Sequence, residues 1–376
     1  MFLVGRNGSG KSNLVDAFAF LAEAMTGPLQ SVLDRRGGIG VVRNKTSGRS
    51  YPPNVGLAVQ FGPLNGRVKH GRYAFEIRAL PKFGFEVVRE QCRIVTDRQE
   101  NHWFDRRNGR FDANVSGLHP VLDNASLALP LVGGAAQFAP AVRALAALRV
   151  YAIEPAKVRD LQEPDSGSSL RRDGGNAASV LKEVERRSEE DLERIAEILG
   201  VIVPNTTDVR TKKHGNKLAL EFTQKWGADK RVRFEAFNMS DGTLRALGVL
   251  LAVFQAPPPS LIVVEEPEAT IHPGALGAVL DVLRLASRRM QVVVTTHSPE
   301  VLDQKWITEE NLRVVRWHEG ATQVARISEA SRRALAEHLM GPGELLRADA
   351  LEETAPPAGQ ALFSEVEAPV LFEELA

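Results

Sequence analysis

Three short stretches along the chain are apolar without interruption: Phe2-Leu3-Val4, Leu261-Ile262-Val263-Val264 and Val292-Val293-Val294, the last inside Gln291–Thr296. Strands covered on both faces lose the usual in–out alternation, so these runs predict a buried sheet of parallel type. Elsewhere apolar residues return every three or four positions, as a helix with one buried face requires. Leu14, Phe18, Leu21 and Met25 form one such stripe, Leu247, Leu251 and Phe254 a second, and Leu276, Val279, Leu280, Leu283 and Ala286 a third. The third stripe links two of the apolar runs, and the right-handed crossover rule then makes 291–296 a parallel neighbour of 261–264. Val55–Phe61, Arg72–Ala79 and Phe83–Ile94 instead alternate apolar with polar residues, which predicts half-exposed antiparallel strands. Residues 97–116 read as loop or a short hairpin. Leu118–Leu148 is Ala- and Leu-rich and predicts helix, interrupted at Pro130 and Gly133-Gly134. Residues 160–175 predict a flexible connector. Asn176 opens one helical stretch and Ser188–Leu199 forms another; without sustained heptads, this region reads as a compact lid or arm.

Composition narrows the class. With 376 residues the chain is long enough for two or three lobes around a large core. Its 47 Lys and Arg balance 47 Asp and Glu, which argues against a globally basic nucleic-acid coat. Cys92 is the only cysteine, so no intrachain disulfide exists and a reducing, cytoplasmic compartment is expected. No apolar run reaches the roughly 18 residues of a membrane span, and MFLVGRNGSGK lacks the plan of a secretion signal.

Chemistry enters at the ends of the apolar runs. Gly5-Arg6-Asn7-Gly8-Ser9-Gly10-Lys11-Ser12 fits G-x-x-x-x-G-K-[ST] between a strand and a helix that continues through Asn13. Glycines let backbone N–H groups turn inward around phosphates, Lys11 supplies an ammonium for them, and the Ser12 hydroxyl suits Mg²⁺. The run 261–264 ends in Glu265-Glu266-Pro267-Glu268, placing two carboxylates where open α/β sheets hold their ligands. One can hold a metal and the other can polarise a water, because successive side chains leave a strand on opposite faces. Thr295-Thr296 runs into His297-Ser298-Pro299, which brings an imidazole to the same sheet edge. Ser240-Asp241-Gly242-Thr243 precedes the helix through Leu247; alone it reads as a helix cap, and beside a phosphate loop as a second anion site.

The order of these four motifs resembles the ABC-type ATPase heads of the RecF/SMC/OLD group, most of all the bacterial AAA-type ATPases related to RecF, over residues 1 to about 318. The resemblance implies a P-loop NTPase of ABC type: a mixed or parallel sheet core, an antiparallel β lobe and a small helical lid insertion. It implies ATP and Mg²⁺ as ligands and ATP hydrolysis as activity. Lys11 and Ser12 then belong to Walker A, Glu265 is the Walker B metal acid, Glu266 the catalytic carboxylate and His297 the switch histidine. Ser240, Asp241, Gly242 and Thr243 form the signature that meets the nucleotide of a second copy, and Ala269–Pro273 takes the D-loop position. Three departures stand out: Glu replaces the usual Walker B Asp, SDGT replaces SGGQ or SGGE, and Glu154-Pro155 stands where a Q-loop Gln is usual, with Glu154 as substitute. Four residues before the phosphate loop are too few for the two antiparallel strands such heads carry there. The sequence leaves open an upstream start or a lobe edge with exposed strand hydrogen bonds.

The expected division is an N-terminal ATPase lobe over 1–158, a helical and β lid or arm over 159–235, and a C-terminal ATPase lobe over 236–318. An extension over 319–347 and an acidic, disordered tail over 348–376 follow. That tail carries seven acidic residues without Lys or Arg and a docking motif at Val370-Leu371-Phe372. Arg210, Lys212, Lys213 and Lys217 form a basic cluster suited to DNA phosphates, or a solvated hairpin with charged outer faces. Expected partners are a second copy in an ATP-dependent homodimer, DNA, and a nuclease or Toprim-type protein, with no membrane. The resemblance implies a DNA clamp or the regulator of a nuclease, in repair or anti-phage defence. A non-hydrolysing ATP sensor is the alternative, and a transporter subunit is disfavoured by the missing SGGQ and Q-loop Gln.

Overall fold

The computed structural model describes residues 1–43, 54–64, 67–82, 84–227, 230–318, 320–351 and 371–373. It divides into two compact units, Met1–Val15 with Arg149–Ala355, and Asp16–Leu148 with Pro356–Ala376. The chain opens with β1 (Phe2–Val4), whose three apolar residues are all buried, and α1 (Lys11–Thr26), within which it passes from the first unit to the second. On α1 the buried positions are Val15, Ala19, Phe20, Leu21, Ala22, Ala24 and Met25, while Leu14 and Phe18 are half-buried. The expected stripe is therefore rotated by about one residue.

The second unit holds α2 (Leu29–Asp34), α3 (Ile39–Val42), β2 (Asn54–Phe61), β3 (Val68–Ala79), β4 (Phe85–Thr96), β5 (Asn101–Arg107), β6 (Arg110–Ala113), α4 (Ala128–Val132) and α5 (Ala139–Ala146). The strands form one antiparallel sheet in the order β2-β3-β4-β5-β6. This is the antiparallel lobe that alternation predicted, with 97–116 resolved into the short hairpin; Phe83 lies outside the described residues. Tyr73, Phe75, Ile77, Cys92, Ile94 and Phe104 make its buried face, and Phe104 meets Phe138 edge-on at 5.4 Å. Two charged groups are buried with them. Glu90 accepts hydrogen bonds from Tyr73 Oη and the backbone N–H of Leu129, both at 2.8 Å, and burial raises its carboxyl above the ordinary range. Arg106 donates to the carbonyls of Asp123, at 2.6 Å, and Ser126. Those bonds, with Val87 N–H on Asn124 O at 2.7 Å, explain why helix begins only at Ala128 and not at Leu118. Side chains and strand edges have taken the carbonyls a helix would need.

The first unit continues with β7 (Leu148–Tyr151), α6 (Pro155–Arg159), α7 (Ala177–Arg187), α8 (Glu189–Ile202), β8 (Thr206–His214), β9 (Lys217–Trp226) and β10 (Lys230–Glu235). Then come α9 (Asp241–Phe254), β11 (Leu261–Glu265), α10 (Pro273–Ala286), β12 (Gln291–Thr296), α11 (Pro299–Leu302), β13 (Leu312–His318), β14 (Ala321–Ala325), α12 (Glu329–Ala336) and α13 (Pro342–Arg347). Its main sheet has the order β14-β13-β1-β12-β11-β7, a mixed sheet in which β13, β1, β12 and β11 run parallel and β14 is antiparallel. Helix α9 is apolar nearly all round and is buried from Gly242 to Phe254. A three-stranded antiparallel sheet, β10-β9-β8, completes the unit.

Residues 159–235, the expected lid or arm, contribute to the core of the first unit. Val180, Leu181, Leu192, Ile195, Leu199, Val209 and Phe222 share one apolar cluster with Leu247, Leu251, Val264 and Leu280 of the main sheet and its helices. An amphipathic helix pair with this much apolar surface is most stable buried in a neighbouring core. The stretch 160–175 is likewise no simple connector. Asp165 accepts from Gly167 N–H and Asn176 Nδ2, Asn176 Oδ1 accepts from Arg171 N–H, and Asp173 Oδ1 accepts from Gly175 N–H, each at 2.8–2.9 Å. Of the expected tail, 352–370 and 374–376 lie outside the described residues, Val370 among them. Among the described residues no helix is long and apolar enough to cross a membrane.

Candidate nucleotide site

Because β1, β12 and β11 are parallel neighbours, the segments that follow them emerge at one sheet edge. They are the Gly5–Ser12 loop, His297 and Glu265-Glu266. Register fixes the meeting: Val4 lies opposite Thr296, and Glu265 opposite Thr295. Glu266 N–H then bonds to Thr295 O at 3.0 Å, and Glu266 Oε1 lies 3.1 Å from His297 Nδ1. Glu266 adopts φ +43°, a left-handed backbone unusual for a side chain of its size. That turn carries the carboxylate off the strand axis toward the imidazole. The expected catalytic pair is in direct contact.

The loop itself has the form of a phosphate cradle. Gly8 (φ +77°) and Gly10 (φ +94°) take conformations that glycine adopts without steric cost. A Cβ on Gly5 would lie 2.2 Å from Val315 O, so close approach to β13 also demands glycine there. Lys11 is buried and bends back, its Nζ donating to Gly5 O at 2.6 Å and Arg6 O at 3.0 Å. Burial lowers its pKa, partly offset by the nearby charges of Glu266 and Glu268. Ser9 Oγ is buried with no hydrogen-bond partner. Ser12 and Asn13 are exposed in the first turn of α1, where helix N–H groups and the dipole favour an anion. Arg6 projects outward, its Nε donating to Asp349 at 2.8 Å.

An ammonium folded onto carbonyls of its own loop, an unpartnered buried hydroxyl and a helix start together fit a polyphosphate. For Mg²⁺ the donor set is the Ser12 hydroxyl and the Glu265 carboxylate, hard oxygens of the kind that ion prefers. Arg172 Nη2 donates to Glu265 Oε1 at 2.7 Å, so a guanidinium already holds the expected metal acid. Its segment lies along the chain after β7: Ala152 N–H bonds to Arg172 O at 2.9 Å and Glu154 N–H to Asp173 O at 3.0 Å. Glu154, the expected Q-loop substitute, is exposed at the N-cap position of α6 without a side-chain cap bond, and the side chain that reaches Glu265 from this side is Arg172.

Two further residues escaped the sequence reading. Glu268 is half-buried; Thr296 Oγ1 donates to its Oε1, and its Oε2 has no partner. Burial raises its carboxyl, with the Thr296 bond opposing and the Glu266 charge adding to the shift. Arg245, in the first turns of α9, has a buried Nε without a partner. Burial lowers its pKa, against the pull of Asp241, Glu266 and Glu268. Glu268 closes the acidic motif and Arg245 follows the 240–243 turn, but nothing in their spacing revealed their burial.

The signature turn is a helix cap as well as a candidate anion site. Ser240 accepts from Thr243 N–H at 3.2 Å and its Oγ sits 2.8 Å from Thr243 Oγ1. Asp241 is exposed and bonded to Arg159 of α6, while Gly242 and Thr243 are buried. A Cβ on Gly242 would lie 2.5 Å from Thr270 O, so the 240–243 turn rests on the segment expected to be the D-loop, where Thr270 has φ +65°. Phe237, just before the signature, is 77% exposed.

The basic cluster is largely neutralised within the chain. Arg210 pairs with Glu185, Glu189 and Asp208, Lys212 with Glu221 and Glu235, and Lys217 with Glu163. Lys213 is exposed on β8. Apart from Asp208 on β8 itself, these partners come from α7, α8, β9, β10 and the 160–175 stretch, and pattern along one strand could not reveal them.

Residues 1–71 and 139–303 match the family model described as "AAA domain, putative AbiEii toxin, Type IV TA system". No curated protein matches the chain. Among solved structures, it is similar to an SMC head bound to the C-terminal winged-helix domain of ScpA, at 17% identity and TM-score 0.48, over 88% of this chain and 91% of that one. It is also similar to an SMC head with an extended coiled coil, bound to the C-terminal domain of ScpA and derived from Pyrococcus furiosus (14% identity, TM-score 0.47, 90% and 92% covered). A third is the SMC head domain from Thermotoga maritima (13%, TM-score 0.36, 87% and 89%). With the family model spanning more than half of its length, the chain belongs to this AAA-domain family.

Proposed function

We propose that the protein binds and hydrolyses ATP and that two copies close on the nucleotide, each completing the other's site. The observation that carries this reading is the convergence of the Gly5–Ser12 loop, Glu266 and His297 at one sheet edge, with Glu266 and His297 in contact. Lys11, freed from its loop carbonyls, neutralises the phosphate chain. Glu266 orients the attacking water, and His297 holds Glu266 and senses the terminal phosphate. Mg²⁺, when bound by Ser12 and Glu265, neutralises phosphate charge that would repel the incoming water. Ser240, Asp241, Gly242 and Thr243 present a helix start to the second copy's nucleotide, and exposed Phe237 beside them supplies apolar surface for that contact.

Phosphate release under saturating Mg²⁺ and ATP tests the hydrolytic part. Lys11→Ala and Glu266→Gln should each lower turnover by at least about 100-fold. Wild-type turnover no faster than either variant would instead establish the non-hydrolysing sensor. Downstream, we favour control of a partner nuclease over a DNA clamp, because Arg210, Lys212 and Lys217 are already engaged by carboxylates. The toxin–antitoxin wording of the family description is consistent with a role in defence. Mobility-shift titrations with duplex DNA check this choice: submicromolar binding lost on Lys213→Glu would restore the clamp.

A further inference from the structure

The outer face of the antiparallel sheet in the second unit holds a short segment of the chain in an unusually specific way. Register sets Arg72, Ala74 and Glu76 of β3 beside Arg93, Gln91 and Arg89 of β4, on the face opposite Tyr73, Phe75 and Cys92. Gly56 and Ala58 of β2 continue the row, opposite Glu76 and Ala74. Two small residues leave a shallow slot between arginines. Leu371, Phe372 and Glu373 lie in it, each half-buried.

Each of the three is recognised differently. Leu371 occupies the space over Gly56, where a Cβ would come within 2.4 Å of its Cδ2. The Arg89 guanidinium lies over the Phe372 ring, 4.3 Å from its centroid, as a cation–π pair. Gln91 reads the Glu373 backbone with both ends of its amide: Nε2 donates to Glu373 O and Oε1 accepts from Glu373 N–H, each at 2.9 Å. That is the pattern of a neighbouring strand, supplied by one side chain. Arg72 and Arg93 flank the Glu373 carboxylate at 3.6 Å. Asp105 holds Arg89 from the far side through two bonds, at 3.2 and 2.9 Å. The site is braced.

We propose that this face is a peptide-recognition site for a short apolar–aromatic–acidic segment, and that residues 371–373 of this chain are its ligand. Backbone pairing, a ring under a guanidinium and a carboxylate between two arginines define a sequence-selective contact. Covalent attachment raises the local concentration of the segment, commonly to about the millimolar range, so modest affinity suffices to fill the site.

A fluorescein-labelled peptide of residues 368–376 tests this on the full chain by anisotropy. The double variant Leu371→Ala/Phe372→Ala, whose own segment can no longer compete, should bind the peptide at least about 10-fold more tightly than wild type. Adding Gly56→Val, which fills the slot at an exposed strand position, should weaken that binding about 10-fold or more. Adding Gln91→Ala should do the same, and a peptide with Phe372→Ala should fail to compete. Thermal melts of each variant within a few degrees of wild type show that the sheet is intact. Equal peptide binding by wild type and double variant, or binding unchanged by Gly56→Val, would overturn the proposal.

Discussion

At the residue scale, the least legible part of the site is Arg172. The Gly5–Ser12 loop, Glu265-Glu266 and His297 could be read because glycine, carboxylate and imidazole stood at the ends of apolar runs. Arg172 had no such marker, since its reach to Glu265 depends on the 171–173 backbone lying along Ala152–Glu154. A guanidinium on Glu265 would compete with a divalent ion bound there, so Arg172→Gln should lower the Mg²⁺ concentration for half-maximal turnover several-fold. Mn²⁺ binding to the nucleotide-free protein, followed by electron paramagnetic resonance, should tighten in parallel. Unchanged Mn²⁺ affinity would mean that the arginine only positions Glu265. Glu268 makes a second prediction, through pH. Its carboxyl is raised in the fold by burial, so the folded chain holds that proton more tightly than the unfolded chain does. Its contribution to stability is present below the unfolded pKa and is lost as pH rises through the raised folded value. Glu268→Gln lacks this titration. The melting temperature of the variant minus that of wild type should therefore increase from pH 5 to pH 8. A flat difference across that range would remove Glu268 from the set of shifted groups.

At the element scale, what was legible followed from period and run length, and what was missed followed from contacts distant in sequence. Alternation located β2, β3 and β4 within a few residues, and the apolar runs located β1, β11 and β12. How the lid or arm expected over 159–235 is anchored was not legible, because an amphipathic helix pair reads the same whether it covers its own small core or joins a larger one. Only the shared cluster with α9 and α10 distinguishes the two. Ser240-Asp241-Gly242-Thr243 posed a related problem, since a helix cap and an anion site use the same residues. Gly242 shows a further constraint, the 2.5 Å that would separate its Cβ from Thr270 O. In an exposed helix Gly→Ala gains about 1 kcal/mol of propensity. Here the backbone of the D-loop stands in the way, and overpacking of this kind costs about 1–3 kcal/mol. Gly242→Ala should thus lower the melting temperature, whereas a rise would show that the D-loop yields freely.

At the scale of the whole molecule, the sequence order of the motifs raises the question of how one chain uses two anion sites. The Gly5–Ser12 loop, Glu265-Glu266 and His297 converge within a single chain, joined by the contact of Glu266 with His297. The signature turn offers a buried glycine, a capped helix start and an exposed Phe237 at the surface, an arrangement suited to a second copy. If hydrolysis consumes the closed state, blocking the water-orienting carboxylate should accumulate it. Glu266→Gln with Mg²⁺ and ATP should then elute as a dimer in size-exclusion chromatography with light scattering, and as a monomer without nucleotide. Ser240→Arg, added to Glu266→Gln, places a long cation at the exposed cap and should return the ATP-bound chain to monomer while leaving fluorescent ATP binding within about threefold. That combination separates a trans role for the signature from a cis role, because loss of nucleotide affinity together with the dimer would place Ser240 in its own copy's site. A monomer in both variants at saturating ATP would remove dimer closure from the cycle and leave Lys11, Glu266 and His297 to act within one chain.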